Sequence, residues 1–171
     1  MKILKFLTAF IVLSLQIVAS AQSPATSPKS LMAQKIAGAT NFQGIDNDKS
    51  GKVKSKLGKI TISDDNLFVK LKIKNRSTLN FDIDFIRFYV RDLKTASRTV
   101  TQEQEIYPVS SYGPEQETVA GKSSEVYVFA LKKFPLAKDK ALFIEVYERN
   151  GGRHQYLKAK QTDIENADPI K

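Results

Sequence analysis

The sequence predicts an all-β fold, an antiparallel sandwich of immunoglobulin-like type with about seven strands. Three observations carry this. Apolar residues recur at every second position over several segments, turn-forming residues punctuate them at short intervals, and no long amphipathic helix lies between them. A small closed barrel is the alternative architecture for the same pattern.

In chain order, residues 1–21 read as a signal peptide. Lys2 and Lys5 form a positive start, Phe6 to Val18 an apolar run, and Ala19-Ser20-Ala21 a small-x-small cleavage pattern. The run is broken by Thr8, Ser14 and Gln16 and falls short of the ~20 residues that span a bilayer. Residues 22–42, rich in Ser, Ala, Pro, Thr and Lys, read as a flexible leader with at most a helical turn or two.

The β domain is expected over 43–160. Its first strand runs through Leu57, Ile60 and Ile62 to a turn at Asp64-Asp65-Asn66. The next alternates Leu67, Val69, Leu71 and Ile73 with Phe68, Lys70, Lys72 and Lys74, one face apolar and the other mostly cationic, as in a sheet with one wet side. In Phe81 to Asp92 the apolar phase slips by one, from Phe81, Ile83 and Phe85 to Ile86, Phe88 and Val90. A slip inverts every following side chain, so the strand needs a bulge near Phe85 and Ile86, or a bend between sheets.

Shorter strands are expected at Arg98 to Tyr107 and, after a turn-rich stretch with Gly113-Pro114 and Gly121, at Glu125 to Leu131. Beyond Pro135, Leu142, Ile144 and Val146 alternate with Phe143, Glu145 and Tyr147. Asn150-Gly151-Gly152 then predicts a tight hairpin into His154 to Lys160, and residues 161–171 read as a loose polar tail.

Composition narrows the function. The chain has no cysteine, which rules out disulfides, thiolate metal sites and a lipoprotein anchor, so the core must hold the fold unaided. Loss of residues 1–21 takes two lysines and no acid from 27 basic and 18 acidic residues and leaves a net charge of +7. That suits an anionic partner, although no dense basic block stands out and solvated lysine on outward strand faces explains it equally.

Chemical motifs are weak. Asp46-Asn47-Asp48-Lys49-Ser50-Gly51 resembles the start of a calcium loop, but position twelve is Leu57 where a bidentate glutamate belongs, so a polar turn is expected. Asp82 and Asp84 stand two apart on a strand, with Arg87 and Arg91 near enough in sequence to pair with them. A structural or partner-binding ion cluster is therefore expected in place of acid-base chemistry. His154 is the sole histidine, and Ser110, Ser111, Ser123 and Ser124 lack a nucleophile-elbow context. No phosphate-binding glycine loop is present; catalytic residues, metals and cofactors are accordingly not expected. Aromatics such as Phe68, Tyr127 and Phe143, opposite the alternating core, would leave an apolar patch unless covered.

The run Asn75-Arg76-Ser77 and Phe81 to Asp92, followed by Lys94, Ser97-Arg98-Thr99 and Gln102-Glu103, resembles the TraN family of Bacteroides-type conjugative transposons. So do Val128 to Phe134 and Glu148-Arg149-Asn150-Gly151-Gly152-Arg153-His154. The likeness covers roughly residues 40–160. It implies a periplasmic β-sandwich subunit of a conjugative-transfer, type IV secretion apparatus. Such a subunit is peripheral to the outer membrane through its partners and catalyses nothing.

On that resemblance the expected partners are other transfer proteins in a multi-subunit complex, with no sequence-specific nucleic-acid binding. Asp82, Asp84, Arg87 and Arg91 would fix the slipped strand, and Asn150, Gly151, Gly152, Arg153 and His154 would present a contact loop. The alternative is a free periplasmic module that binds glycan or peptidoglycan, since rings and a basic face suit both.

Overall fold

A computed structural model describes residues 27–94, 102–114 and 117–170. Its elements are α1 (Pro28–Gly38), β1 (Gly44–Ser50), β2 (Val53–Gly58), β3 (Thr61–Ser63), β4 (Asn66–Asn75), β5 (Phe81–Asp92), β6 (Gln104–Glu105), β7 (Pro108–Tyr112), β8 (Thr118–Val119), β9 (Ser124–Lys132), β10 (Lys140–Glu148), β11 (Gln155–Lys160), α2 (Gln161–Glu165) and β12 (Asp168–Pro169). They form a two-sheet sandwich. A seven-stranded sheet centres on β4 and β9, and a five-stranded one runs β11-β10-β5-β6 with β8 added to β5. All pairings are antiparallel except β3 with β12.

Alternation explains the core. Leu57, Leu71, Ile73 and Leu131 of the larger sheet meet Phe81, Phe88, Leu142, Ile144 and Leu157 of the smaller one, all excluded from water. Removing this much apolar surface from water is what holds a cysteine-free domain together.

The leader folds further than its composition suggests. Ser27 caps α1, its Oγ accepting the Ser30 amide at 3.2 Å, and Pro28 supplies a preset φ at the first turn. This three-turn helix buries Ala33 against Phe68, Val128 and Ala130, with Met32, Ile36 and Ala37 alongside. Phe68 is thereby covered on the outer side of the larger sheet. Lys70 ties the helix down, its ammonium donating to the Ile36 and Ala39 carbonyls at 2.8 Å each. Its pKa is lowered, first by burial and then by neighbouring Lys72.

Three other segments depart from expectation. Residues 44–50, expected as a polar turn, are a strand, paired to β2 through a two-residue turn in which Gly51 takes φ 57°. β2 and β3 follow one edge of β4 in succession, as the single expected strand would, but three residues of one path oppose two of the other between Leu57↔Leu71 and Thr61↔Phe68. The expected tail instead forms α2 and β12, pinned by a Lys59–Asp168 ion pair at 2.7 Å. β7 also occupies part of the expected turn-rich stretch, whereas only β6 represents the strand expected at 98–107, residues 95–101 lying outside the described residues. The expected signal peptide, residues 1–21, likewise lies outside them.

The phase slip in β5 is a bulge. Tyr147 opposes Phe85 and Glu148 opposes Ile83, so Asp84 is the extra residue. From Ile83 to Asp92 the strand stays with β10, across the bulge, and does not bend into the other sheet. Phe85 is consequently turned outward, while Ile86, Phe88 and Val90 face the core.

Candidate functional site

The outer face of the smaller sheet gathers rings and guanidinium groups. The β5 bulge puts Phe85, Arg87, Tyr89 and Arg91 on one side, and the β10 register places Tyr147, Glu145, Phe143 and Ala141 directly opposite them. Tyr156 of β11 lies on the far side of Glu145. Phe85 stacks on Tyr147 with centroids 4.5 Å apart, and Tyr147 stacks on His154 at 4.2 Å. The Tyr147 and Tyr156 hydroxyls are 3.0 Å apart, a hydrogen bond that is the main cause of the Tyr156 pKa being pushed up to about 12.

Glu145 organises the charges. Although only 6% exposed, its carboxylate accepts Arg87 Nη2 at 2.9 Å and the Tyr89 hydroxyl at 2.6 Å. Burial, then that carboxylate, raises the Tyr89 pKa well above its ordinary value. For Arg87, burial pulls down but Glu145 outweighs it, and the guanidinium is held more firmly protonated. Glu103 bridges Arg87 and Arg91 at 3.3 and 3.4 Å. Arg87 lies over the Tyr89 ring at 4.5 Å and Arg91 over Phe143 at 4.4 Å, so Phe143 is outward but shielded by a cation.

The expected aspartate–arginine cluster does not form. Arg87 and Arg91 pair with Glu145 of β10 and with Glu103 just before β6, because the bulge separates them from the aspartates and cross-strand register delivers Glu145 instead. Asp82 accepts the Thr118 hydroxyl at 2.7 Å, and Asp84 faces Arg149 at 3.7 Å. Tyr127, expected on an outward face, is buried between the sheets.

The Asn150–His154 segment is also more structural than a projecting loop. It lies within a six-residue connection from β10 to β11, longer than the tight hairpin expected, with Asn150 at φ 54°. Arg153 is clamped by Glu148 and reaches the Ser77 hydroxyl at 3.2 Å and the Asn80 carbonyl at 2.6 Å. A side chain at Gly151 would collide with the Glu148 carboxylate, whereas Gly152 has open space around it. His154 alone of this segment joins the ring face, its Nδ1 accepting the Glu148 amide at 3.3 Å.

Sequence reading missed Phe85, Tyr147, Tyr156, Glu103 and Glu145 as members of the face. The signal was available for three of them: once the slip is placed at Asp84, Phe85 and every second residue after it point outward, opposite Glu145 and Tyr147. Among the described residues no group of three or more His, Cys, Asp or Glu side chains is placed to hold a metal. Asp46 and Asp48 are instead engaged by the backbone of β11. The face is chemically suited to binding, through ring stacking and charge-assisted hydrogen bonds.

Fold and site together define a two-sheet β-sandwich with an aromatic–arginine face on one sheet. The chain belongs to the family described as Domain of unknown function (DUF4138), which it matches over residues 30–169, from within α1 to the end of β12. No curated protein and no solved structure matches it. Among the described residues no helix is long and apolar enough to cross a membrane.

Proposed function

We propose that the chain is a non-enzymatic, periplasmic structural subunit of a conjugative-transfer apparatus, of the TraN type, and that it docks on other transfer proteins at the outer membrane. The observation that carries this reading is the open ring–arginine face: Phe85 is 41% and Tyr156 50% exposed beside Arg87 and Arg91. Tyrosine, phenylalanine and arginine are the residues that protein interfaces concentrate at their centres. The resemblance of residues 75–103, 128–134 and 148–154 to TraN proteins supplies the setting.

A second reading rests on the same rings. Tyr147 is covered on both faces by Phe85 and His154, and the exposed parts of Phe85 and Tyr156 remain to pack on sugar rings, as in a free module binding glycan or peptidoglycan.

The test is to isolate the tagged protein and its Phe85→Ala/Tyr156→Ala variant from envelopes of the native host and identify what accompanies each by mass spectrometry. Transfer proteins are expected with the parent and lost with the variant, whose unfolding midpoint stays close to the parent's because both side chains are half exposed. A parent that emerges as a lone monomer, under conditions that preserve other envelope complexes, overturns the subunit reading. Ring-dependent retention on peptidoglycan would then establish the second.

A further inference from the structure

The opposite side of the sandwich carries a lattice of cations that have no ion-pair partner among the described residues. In the β2–β4 ladder Lys54 stands directly opposite Lys74 and Lys56 opposite Lys72, while β1 sets Lys49 opposite Lys54. The alternate residues Val53, Ser55, Leu57, Leu71 and Ile73 are buried, so these lysines face outward. With Phe42 and Arg76, four of them wall a hollow of about 280 Å³.

Among the described residues no acidic side chain neutralises this lattice. The outward positions beside it are Asn47 on β1 and Ser124 and Val126 on β9, none of them acidic. Among the described residues, the ion pairs all involve other cations, namely Lys59, Arg87, Arg91, Lys140, Arg149 and Arg153. Like charges directly opposite each other weaken a strand pair, and a glutamate at either position of each pair would strengthen it. The sheet therefore carries a repulsion that its own packing does not require, and directs the resulting potential at solvent.

We infer that this face docks on an anionic phospholipid surface, with the ammonium groups meeting headgroup phosphates. Two features select a lipid surface over a nucleic acid. Among the described residues β1, β2 and β4 present the lattice flat on a sheet, with no helix there to enter a groove. Single strands need rings to stack on, and the one ring here, Phe42, lies beside the Lys70 ammonium at 5.8 Å. The attraction is short-ranged, within a Debye length, and scales with the number of lysines. The inference does not depend on what the ring–arginine face binds.

The experiment is co-sedimentation of the protein, purified from its native envelope, with phosphatidylcholine vesicles and with mixed phosphatidylcholine–phosphatidylglycerol vesicles, at low and high salt. A duplex DNA of random sequence is measured in the same buffers. The comparison variant is Lys54→Gln/Lys56→Gln/Lys72→Gln/Lys74→Gln; it keeps the parent's N-terminus, so any apolar contribution from there cancels.

Salt-sensitive binding to the anionic vesicles alone is expected, falling roughly five-fold per lysine removed and thus more than a hundred-fold in the variant. The variant's urea midpoint is expected to equal or exceed the parent's, because the cross-strand repulsion is gone. Undiminished vesicle binding by the variant overturns the assignment of this face, as does a parent with no preference for anionic vesicles. Tighter binding to the duplex than to the vesicles overturns the lipid and makes the partner a nucleic-acid backbone.

Discussion

The carboxylate of Asp48 accepts the backbone amide of Tyr156 at 2.8 Å, and Asp46 does the same for Lys158, also at 2.8 Å. The two aspartates belong to the edge strand of the larger sheet and the two amides to the edge strand of the smaller one. Side chains thus take the place of a missing ladder and close the sandwich along one seam. Each carboxylate is itself held by the amide of the next residue, Asn47 at 2.9 Å and Lys49 at 2.7 Å. Unpaired amides of an edge strand invite pairing with another chain, and this seam covers two of them.

Asp46→Ala and Asp48→Ala are each expected to cost about 1–2 kcal/mol, the price of leaving one amide without its acceptor. Hydrogen exchange should accelerate at Lys158 in the first and Tyr156 in the second. Asn at either position keeps an acceptor oxygen and should cost less. Unchanged exchange at both amides would show that the seam is not held this way.

The bulge at Asp84 separates the roles of two phenylalanines only three residues apart. Phe88 is 1% exposed and packs against Phe129 at 5.0 Å, whereas Phe85 is 41% exposed. Phe88→Ala should cost about 3–5 kcal/mol in urea denaturation. Phe85→Ala should cost less than about 1.5 kcal/mol, the scale of its stacking on Tyr147. Comparable losses at the two positions would place the bulge elsewhere in the strand.

That strand also shows how far the sequence could be read. The slip between Ile83 and Ile86 announced an extra residue, but alternation alone left open whether Phe85 belonged to the core set before it or the outward set after it. Long strands with clean alternation, β4, β9, β10 and β11, were legible because one face of each is buried. β1 was not, since its inward-leaning positions are aspartates that bind backbone and carry no apolar signal. α1 was hidden because two of the four residues it packs on the sheet, Ala33 and Ala37, are alanine and give little apolar signal, though Ser27-Pro28 is a recognisable helix start. In the site, the arginines were legible and their partners were not. Glu145 reaches them from the neighbouring strand and Glu103 from the segment leading into β6, and sequence distance says nothing about cross-strand register.

Glu145 is the residue on which the ring–arginine face most depends. It is almost fully buried, and its two oxygens are shared between Arg87 and the buried hydroxyl of Tyr89. Glu145→Ala strands the Tyr89 hydroxyl, whereas Arg87, partly exposed, keeps Glu103; the variant should destabilise by about 1–3 kcal/mol, as when a buried donor loses its acceptor. Glu145→Gln keeps an acceptor for Tyr89 and loses the charge, so a smaller loss is expected. Thermal denaturation of both variants checks this; equal losses would mean that charge, and not hydrogen bonding to Tyr89, sets the whole effect.

Stability should fall with acid through Glu148. Its side chain is 8% exposed, and Arg153, chiefly through side-chain hydrogen bonds, holds its carboxyl below the ordinary value of 4.5. Between that depressed value and 4.5 the unfolded chain takes up the proton more readily than the folded one, so acid favours unfolding there. The contribution is complete above 4.5 and disappears as pH drops through the folded value. Glu148→Gln removes it and also loosens Arg153, which ties the loop to Ser77 and Asn80. Urea midpoints measured from neutral to strongly acid pH should therefore show the parent well above Glu148→Gln at neutral pH, with the gap narrowing only below 4.5. A gap that stays constant into acid, or widens, would mean that Glu148 holds Arg153 through shape and packing alone.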